Sequence, residues 1–343
     1  MELETRLIEG FDFVCRPGCG LCCFTTPRVD DREAAQLRRA LPSAPLIQLA
    51  DGEVGIESRP YGGACQFLSG SRCGIRRLRP SPCRIFPLTV HLGFRAQASV
   101  VLTCPGVSLE PLAGRRSPPR GGFESELEAV RARLEVDGAE RLARYRAEFE
   151  ARRAARGFPG PTEAEAGALR TRLHAWVDTL DPQTVPTGEI PPVSEGLERL
   201  PLIPSPTAGP LALGRRGPRW LLLELRAEGE RPRVRTSARP PGRSLIRTAD
   251  AERLWRGYLH YWVERDALLG IVEAAMAPSD PIEFEQGLRA ALEEIAGEVL
   301  DRGGFLAPVL GATEGGLDVQ AISLGIRATD MDLLDRPSTG ERL

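Results

Sequence analysis

Eight cysteines crowd between residues 15 and 104, and none follows before the chain ends at residue 343. They run Cys15-x3-Cys19-x2-Cys22-Cys23, then Cys65, Cys73, Cys83 and Cys104. Thiolate is a soft, anionic ligand suited to zinc, copper(I) or iron–sulfur centres. Four such ligands within nine residues, followed by four more, supply what one or two metal sites need. Two other readings compete. Free thiols can pack as small inert hydrophobes, but these sit among Pro, Gly and Arg in turn-like sequence such as Arg16-Pro17-Gly18-Cys19-Gly20. A disulfide framework needs an oxidising compartment. No apolar run follows a basic start in Met1-Glu2-Leu3-Glu4-Thr5-Arg6, so a secretory signal is not expected and the cytoplasm is. Metal chelation is the expectation.

The thiols alone leave the metal open. Zinc takes four thiolates in tetrahedral sites built from short knuckles, and Cys19-x2-Cys22 fits one. Iron–sulfur clusters also take four, in close runs that can end in Cys-Pro. Here Pro105 follows Cys104 and Pro82 precedes Cys83, which favours a [4Fe–4S] cluster over zinc. Adjacent Cys22 and Cys23 would face opposite ways on an extended segment and could serve two sites. In a turn both could reach one.

Residues 58 to 109 contain no Asp or Glu, yet hold Arg59, Arg72, Arg76, Arg77, Arg79, Arg84 and Arg95. A metal held by four thiolates is net anionic, and guanidinium groups nearby would offset that charge and lower thiolate pKa values. A solvated basic surface is the plain alternative. A site for phosphate or carboxylate is a third reading. Nucleic acid is not an expected partner, because 45 basic residues face 47 acidic ones and no basic stripe interleaves with aromatics. Every basic residue is Arg, so no lysine can act as a Schiff-base nucleophile or general base. Imidazole chemistry has three carriers, His91, His174 and His260.

The cysteine blocks also resemble a known family. Phe13-Val14-Cys15-Arg16-Pro17-Gly18-Cys19-Gly20-Leu21-Cys22-Cys23 is similar to the opening of the YkgJ-type CxxCxxCC cysteine-cluster proteins. Cys65-Gln66-Phe67-Leu68, Cys73-Gly74-Ile75 and Arg79-Pro80-Ser81-Pro82-Cys83-Arg84-Ile85-Phe86-Pro87 are similar to their second block, and Cys104-Pro105-Gly106 to their closing one. The likeness covers about a third of the chain, residues 13 to 106. It departs in having three residues between the first two cysteines and in Arg76, where an aromatic is usual. The resemblance implies zinc or iron chelation by Cys15, Cys19, Cys22, Cys23, Cys65, Cys73, Cys83 and Cys104. Because the family includes flagellin lysine N-methylases, it also implies a second possibility: an iron–sulfur enzyme that transfers methyl from S-adenosylmethionine to a protein substrate. Motif kinship alone is weak ground for a reaction. Cys15-x3-Cys19-x2-Cys22 also has the spacing of radical S-adenosylmethionine enzymes, but the repeated strand–helix units of their barrel are missing.

The remaining elements must position this module. Phe123, Leu127, Val130 and Leu134, then Leu142, Tyr145 and Phe149, recur at helical spacing about Gly138, predicting a long or broken helix or a hairpin of two. Thr162 and Glu165 form a capping box before a helix through Leu169, Leu173, Trp176 and Leu180, with His174 beside that stripe in a structural role. A Pro-rich crossing over 181–210 leads to a hairpin of Leu211–Leu213 and Trp220–Leu225, with a third strand near 231–236. A helix over about 249–275 carries Trp255, Tyr258 and Trp262 on one face. Core packing is that face's default role, and S-adenosylmethionine stacking, with Arg84 on the carboxylate, its functional alternative. His260 projects off that face. Asp280-Pro281-Ile282-Glu283 starts another helix, Gly303-Gly304 is expected to stop it, and a last helix runs through Val319, Ile322, Ile326 and Leu333. The expected architecture is α+β. A loop-rich cysteine module at 10–112 packs on a mainly helical portion with a small antiparallel sheet at 113–335, ahead of a frayed tail at 336–343. No apolar run has membrane-spanning length.

Overall fold

A computed structural model describes residues 2–16, 19–25, 27–49, 54–70, 72–115, 121–155, 160–197, 200–204, 210–240, 242, 245–312, 316–336 and 341–342. The Pro17-Gly18 step of the first cysteine turn lies outside them. The fold is α+β, as the patterning predicts.

The N-terminal part is built from short pieces. Strand β1 (Leu3–Glu4) is followed by a 3-10 turn at Leu21–Phe24, then β2 (Arg28–Val29), helix α1 (Asp31–Ala40), β3 (Leu46–Gln48) and β4 (Val54–Ile56). Strands β2, β4 and β3 form an antiparallel sheet in that order. Helix α1 starts where Asp30 Oδ1 accepts the Glu33 amide at 2.7 Å, satisfying an otherwise orphaned N–H. Its Ala34 and Leu37 bury against Val29, Ile56 and Ile75 to make a small local core. Next come the pair β5 (Leu68–Ser69) and β6 (Arg72–Cys73), helix α2 (Ser81–Ile85), and the hairpin of β7 (Leu88–Leu92) with β8 (Ala96–Val100). The sequence reading passed over α1, whose signal is the Asp30 cap with Ala34 and Leu37 on one face, whereas the strands, at two to five residues, are too short to show a period.

The C-terminal part is larger and more regular. Helix α3 (Glu124–Arg133) passes through a π-helical turn at Leu134–Gly138 into α4 (Ala139–Ala155), so the expected long or broken helix is one helix with a bulge at Gly138. The Thr162–Glu165 box opens α5 (Glu163–Thr179). The sheet has four strands, β9 (Leu202–Ile203), β10 (Leu211–Arg216), β11 (Arg219–Glu224) and β12 (Arg233–Ala238), antiparallel in the order β12-β11-β10-β9. Strand β9 emerges from the stretch read as an irregular crossing.

Four helices complete the scaffold: α6 (Ala249–Glu264), α7 (Asp266–Met276), α8 (Pro281–Val309) and α9 (Val319–Leu334). Two expectations need correction here. The helix expected over 249–275 breaks at Arg265, whose φ of −75° and ψ of 124° are extended. Helix α8 does not stop at Gly303-Gly304. Instead, a Cβ on Gly303 would stand 2.3 Å from the Ala321 carbonyl, and one on Gly325 would stand 2.0 Å from that of Val299. These glycines let α8 and α9 cross at near backbone contact. The tail expected to fray holds β13 (Glu341–Arg342), paired antiparallel with β7, while 337–340 and 343 lie outside the described residues.

The main hydrophobic core fuses the two parts. Val90, Leu92, Ala98, Val100 and Leu102 bury together with Leu173, Trp255, Tyr258, Trp262, Leu292 and Ile322. The hairpin β7–β8 therefore packs with the helices, while α1 and its neighbours keep their separate core. The four-stranded sheet joins them from the side. One face lies on Phe305, Leu306 and Ala328, and the other carries Leu200, Ala212, Leu221 and Leu223 against Phe24 of the 3-10 turn.

Candidate metal centre

Six chain segments carry the cysteines within electrostatic reach of one another, and the segments are held by identifiable anchors. Phe13 bridges Val107, and the Val14 amide donates to the Gly106 carbonyl at 3.0 Å, so the strand leading into Cys15 runs beside the loop that follows Cys104. A Cβ at Gly106 would stand 2.3 Å from the Val14 carbonyl, which explains the glycine that closes Cys104-Pro105-Gly106. Cys22 and Cys23 lie on the 3-10 turn, entered through Gly20 at φ 61°. Of the two arrangements open to this pair, the turn is the one found, and the thiols hydrogen-bond to one another. The Cys65 amide donates to the Cys23 carbonyl at 2.6 Å. Cys73 on β6 pairs with Leu68, one hairpin away. Cys83 sits on α2, whose Ser81 amide and hydroxyl both donate to Glu33 Oε1, at 2.7 and 2.6 Å.

Two arginines hold the remaining loops. Arg59 donates to the carbonyls of Gln66, Leu68 and Ala227, fixing the loop between Cys65 and Cys73 against the chain leaving β11. Arg327 on α9 does the same for the last block, donating to the carbonyls of Leu102 (2.8 Å), Cys104 (2.6 Å) and Val107 (2.8 Å). Sequence reading counted Arg59 only as one charge among seven and missed Arg327 altogether. Its one signal is an arginine among the apolar spacings of α9. The others divide. Arg79 lies close enough to act on Cys22 and Cys83, Arg95 pairs with Glu4 and Asp266 away from the thiols, and Arg72, Arg76 and Arg77 are exposed. Arg84 donates to Ser81 Oγ at 3.2 Å and faces Glu33 at 3.6 Å.

All eight thiols are free. Burial raises the thiol pKa of Cys19, Cys65 and Cys83, and pushes Cys104 up to about 12 despite the neighbouring Arg327. Charges on Cys22, Cys65 and Cys73 add to the rise at Cys83, and charges on Cys19 and Cys22 to that at Cys104. Cys22 runs the other way. The Cys23 thiol donates to it and Arg79 adds positive charge, so it falls to about 7, while Cys23, the donor, is raised. Iodoacetamide added near pH 7 together with the chelator, before the local core opens, should therefore label Cys22 well ahead of Cys83 and Cys104. Arg79→Ala should slow that labelling, and mass-spectrometric site mapping would read it. Equal labelling of Cys22 and Cys83 would contradict this electrostatic account.

The donor set fits a soft or borderline metal in its chemistry: eight free thiols and a surround with guanidinium groups. Its spacing is not that of a closed site. Among the described residues no three His, Cys, Asp or Glu side chains stand as a metal-holding group. Chelation would thus draw the sulfurs of these short loops together.

The aromatic face of α6 packs in the core, the default role expected of it. Trp255, Tyr258 and Trp262 are each 0% exposed. Trp255 Nε1 donates to the Ala296 carbonyl, Tyr258 donates to Asp330, and the Arg265 guanidinium lies 4.5 Å from the Trp262 ring centre. His174 and His260, both partly buried, join at 2.8 Å and end on Glu264 and Asp178 respectively, in a chain between α5 and α6.

Fold and donor set together define a cysteine-cluster metal-binding module carried on a mainly helical scaffold. Residues 14–105 match the CxxCxxCC family model, described as a "Putative zinc- or iron-chelating domain". The match contains all eight cysteines and ends one residue past Cys104. No curated protein and no solved structure matches the chain. Among the described residues no helix is long and apolar enough to cross a membrane.

Proposed function

We propose that this protein binds metal through its eight N-terminal cysteines and that the metal is iron, held as an iron–sulfur cluster of the [4Fe–4S] type. The observation that carries the reading is the gathering of eight free thiols from six segments into one electrostatically connected group with Cys22 at its centre. Cys22, Cys65 and Cys73 act on both Cys23 and Cys83, whereas Cys22 and Cys15 act on Cys19, and Cys19 and Cys22 on Cys104. That grouping supports two sets of four ligands meeting at the Cys22–Cys23 turn. Iron is favoured over zinc by the proline that follows Cys104 and by the cations Arg16, Arg79 and Arg327 around the thiols, which offset the charge of a four-thiolate cluster. Such a cluster supplies electron transfer or Lewis acidity when bound. The chain's own residues hold the loops, exclude water from Cys65 and Cys104, and balance charge. Transfer of a methyl group to protein lysine rests on family resemblance alone and gains nothing from the buried aromatic face.

Protein purified without oxygen is expected to be brown, to absorb broadly in the visible, and to bleach with dithionite. A colourless protein holding two zinc ions would replace iron by zinc in this reading and leave the ligand assignment standing.

A further inference from the structure

A cleft of about 530 Å³ opens where the loop after Cys104 meets α6 and α9. That volume suits a small molecule. Pro105, Gly106 and Val107 form part of its wall, so an occupant lies within a residue or two of Cys104. Two cations face into it from opposite ends of the sequence, Arg16 beside Cys15 and Arg327 on α9, near enough that Arg16 disfavours the charge on Arg327. Burial and this repulsion bring Arg327 down to about 10.

Neither cation is neutralised by a carboxylate bond. The Arg16 side chain makes no hydrogen bond or ion pair among the described residues, and Arg327 spends three N–H groups on the carbonyls of Leu102, Cys104 and Val107. A guanidinium has five N–H donors, so Arg327 retains two. The other charges in the cleft are engaged: Arg115 pairs with Asp250 and Glu110, and Asp12 accepts the Gly121 amide. Leu109 and Leu254 add apolar wall. Two guanidinium groups that retain free N–H donors and no carboxylate bond, above an apolar surface, match an anion with an organic body.

We propose that this cleft binds a small organic anion, a carboxylate or a phosphate, whose charged end bridges Arg16 and Arg327 and whose body lies on Val107, Leu109 and Leu254. The ligand sits beside the last cysteine block without using a thiol, so the proposal stands apart from the identity of the metal.

Calorimetric titration of the full chain as purified, with acetate, hexanoate and inorganic phosphate as probes, tests it. Hexanoate binding about tenfold or more tighter than acetate is the expected result for a carboxylate with a buried apolar body. Phosphate binding tighter than both would assign the phosphate class instead, within the same proposal. Arg16→Ala should weaken the best probe at least about tenfold and Arg16→Lys should restore part of the loss. Ser323→Phe, which fills the cleft from α9 away from the cysteines, should weaken it as much with metal content unchanged. Absence of heat for all three probes at millimolar concentration, or affinity unchanged in both Arg16→Ala and Ser323→Phe, would overturn the proposal. Protein that carries no metal as purified without oxygen yet binds the probe would defeat the metal reading and leave this one intact.

Discussion

Asp330→Ala should cost the native state about 3–5 kcal/mol, the scale for breaking a buried ion pair by removing one partner. Asp330 is 0% exposed and Arg265 is 1% exposed, and their side chains meet at 2.7 Å. The carboxylate also accepts the Leu102 amide at 2.7 Å and the Tyr258 hydroxyl at 3.3 Å. Arg265 is enclosed between the rings of Tyr261 and Trp262 and donates to the Val100 carbonyl. Losing the carboxylate strands a guanidinium in an apolar core and frees the end of β8. Urea unfolding would read the loss as a lower midpoint. The double change Asp330→Leu with Arg265→Met should recover most of it, because no unpaired charge then remains. A loss below about 1 kcal/mol in Asp330→Ala would show the pair to be better solvated than its burial implies. Because Leu102 lies two residues before Cys104, the single variant should also retain metal less well.

Stripping the metal is the second large effect. Chelator treatment under reducing conditions should unfold roughly residues 20 to 85 and leave the helical portion folded. The reason lies in where the two cores run. Val29, Ala34, Leu37, Ile56, Cys65 and Ile75 are the buried residues of the local core, and its elements are two to ten residues long. A structural metal contributes on the order of 10 kcal/mol in small domains, enough to decide whether such a core holds. The hairpin β7–β8 belongs to the main core instead, packed with Trp255, Tyr258 and Ile322. Hydrogen exchange should therefore lose protection in α1 and β2–β6 while β7, β8 and α5–α9 keep theirs. Unchanged protection in α1 after complete metal removal would mean that the thiols contribute little to folding. Cys65→Ser should mimic the loss, since its amide ties to Cys23 and its thiol lies in the local core.

These expectations mark what sequence can and cannot carry. The helical scaffold was legible wherever a cap and a long period coincide, as at Thr162–Glu165 and Asp280-Pro281. The cysteine cluster was legible because thiols are chemically distinctive, and the family match covers the same residues. Three things were hidden for physical reasons. Elements of two to five residues, such as β5, β6 and α2, are set by carbonyl clamps and turns and carry no period. Gly303 read as a stop because composition cannot distinguish a helix terminus from a close crossing, and Ala321 decides it from across the interface. Arg327 reaches the Cys104 loop over more than two hundred residues, a contact that only the tertiary fold creates. The same limit applies to Trp255, Tyr258 and Trp262, whose spacing is equally that of a ligand platform and of a core until burial is known.

The most direct measurement of the central claim is a joint count of metal, thiols and disulfides in the full-length protein purified without oxygen. Elemental analysis would give iron and zinc per chain, and thiol titration before and after chelation would give the thiols that the metal occupies. The account predicts stoichiometric iron or zinc, no disulfide, and thiols that become reactive as the metal leaves. Four disulfides with no metal in that material would contradict it.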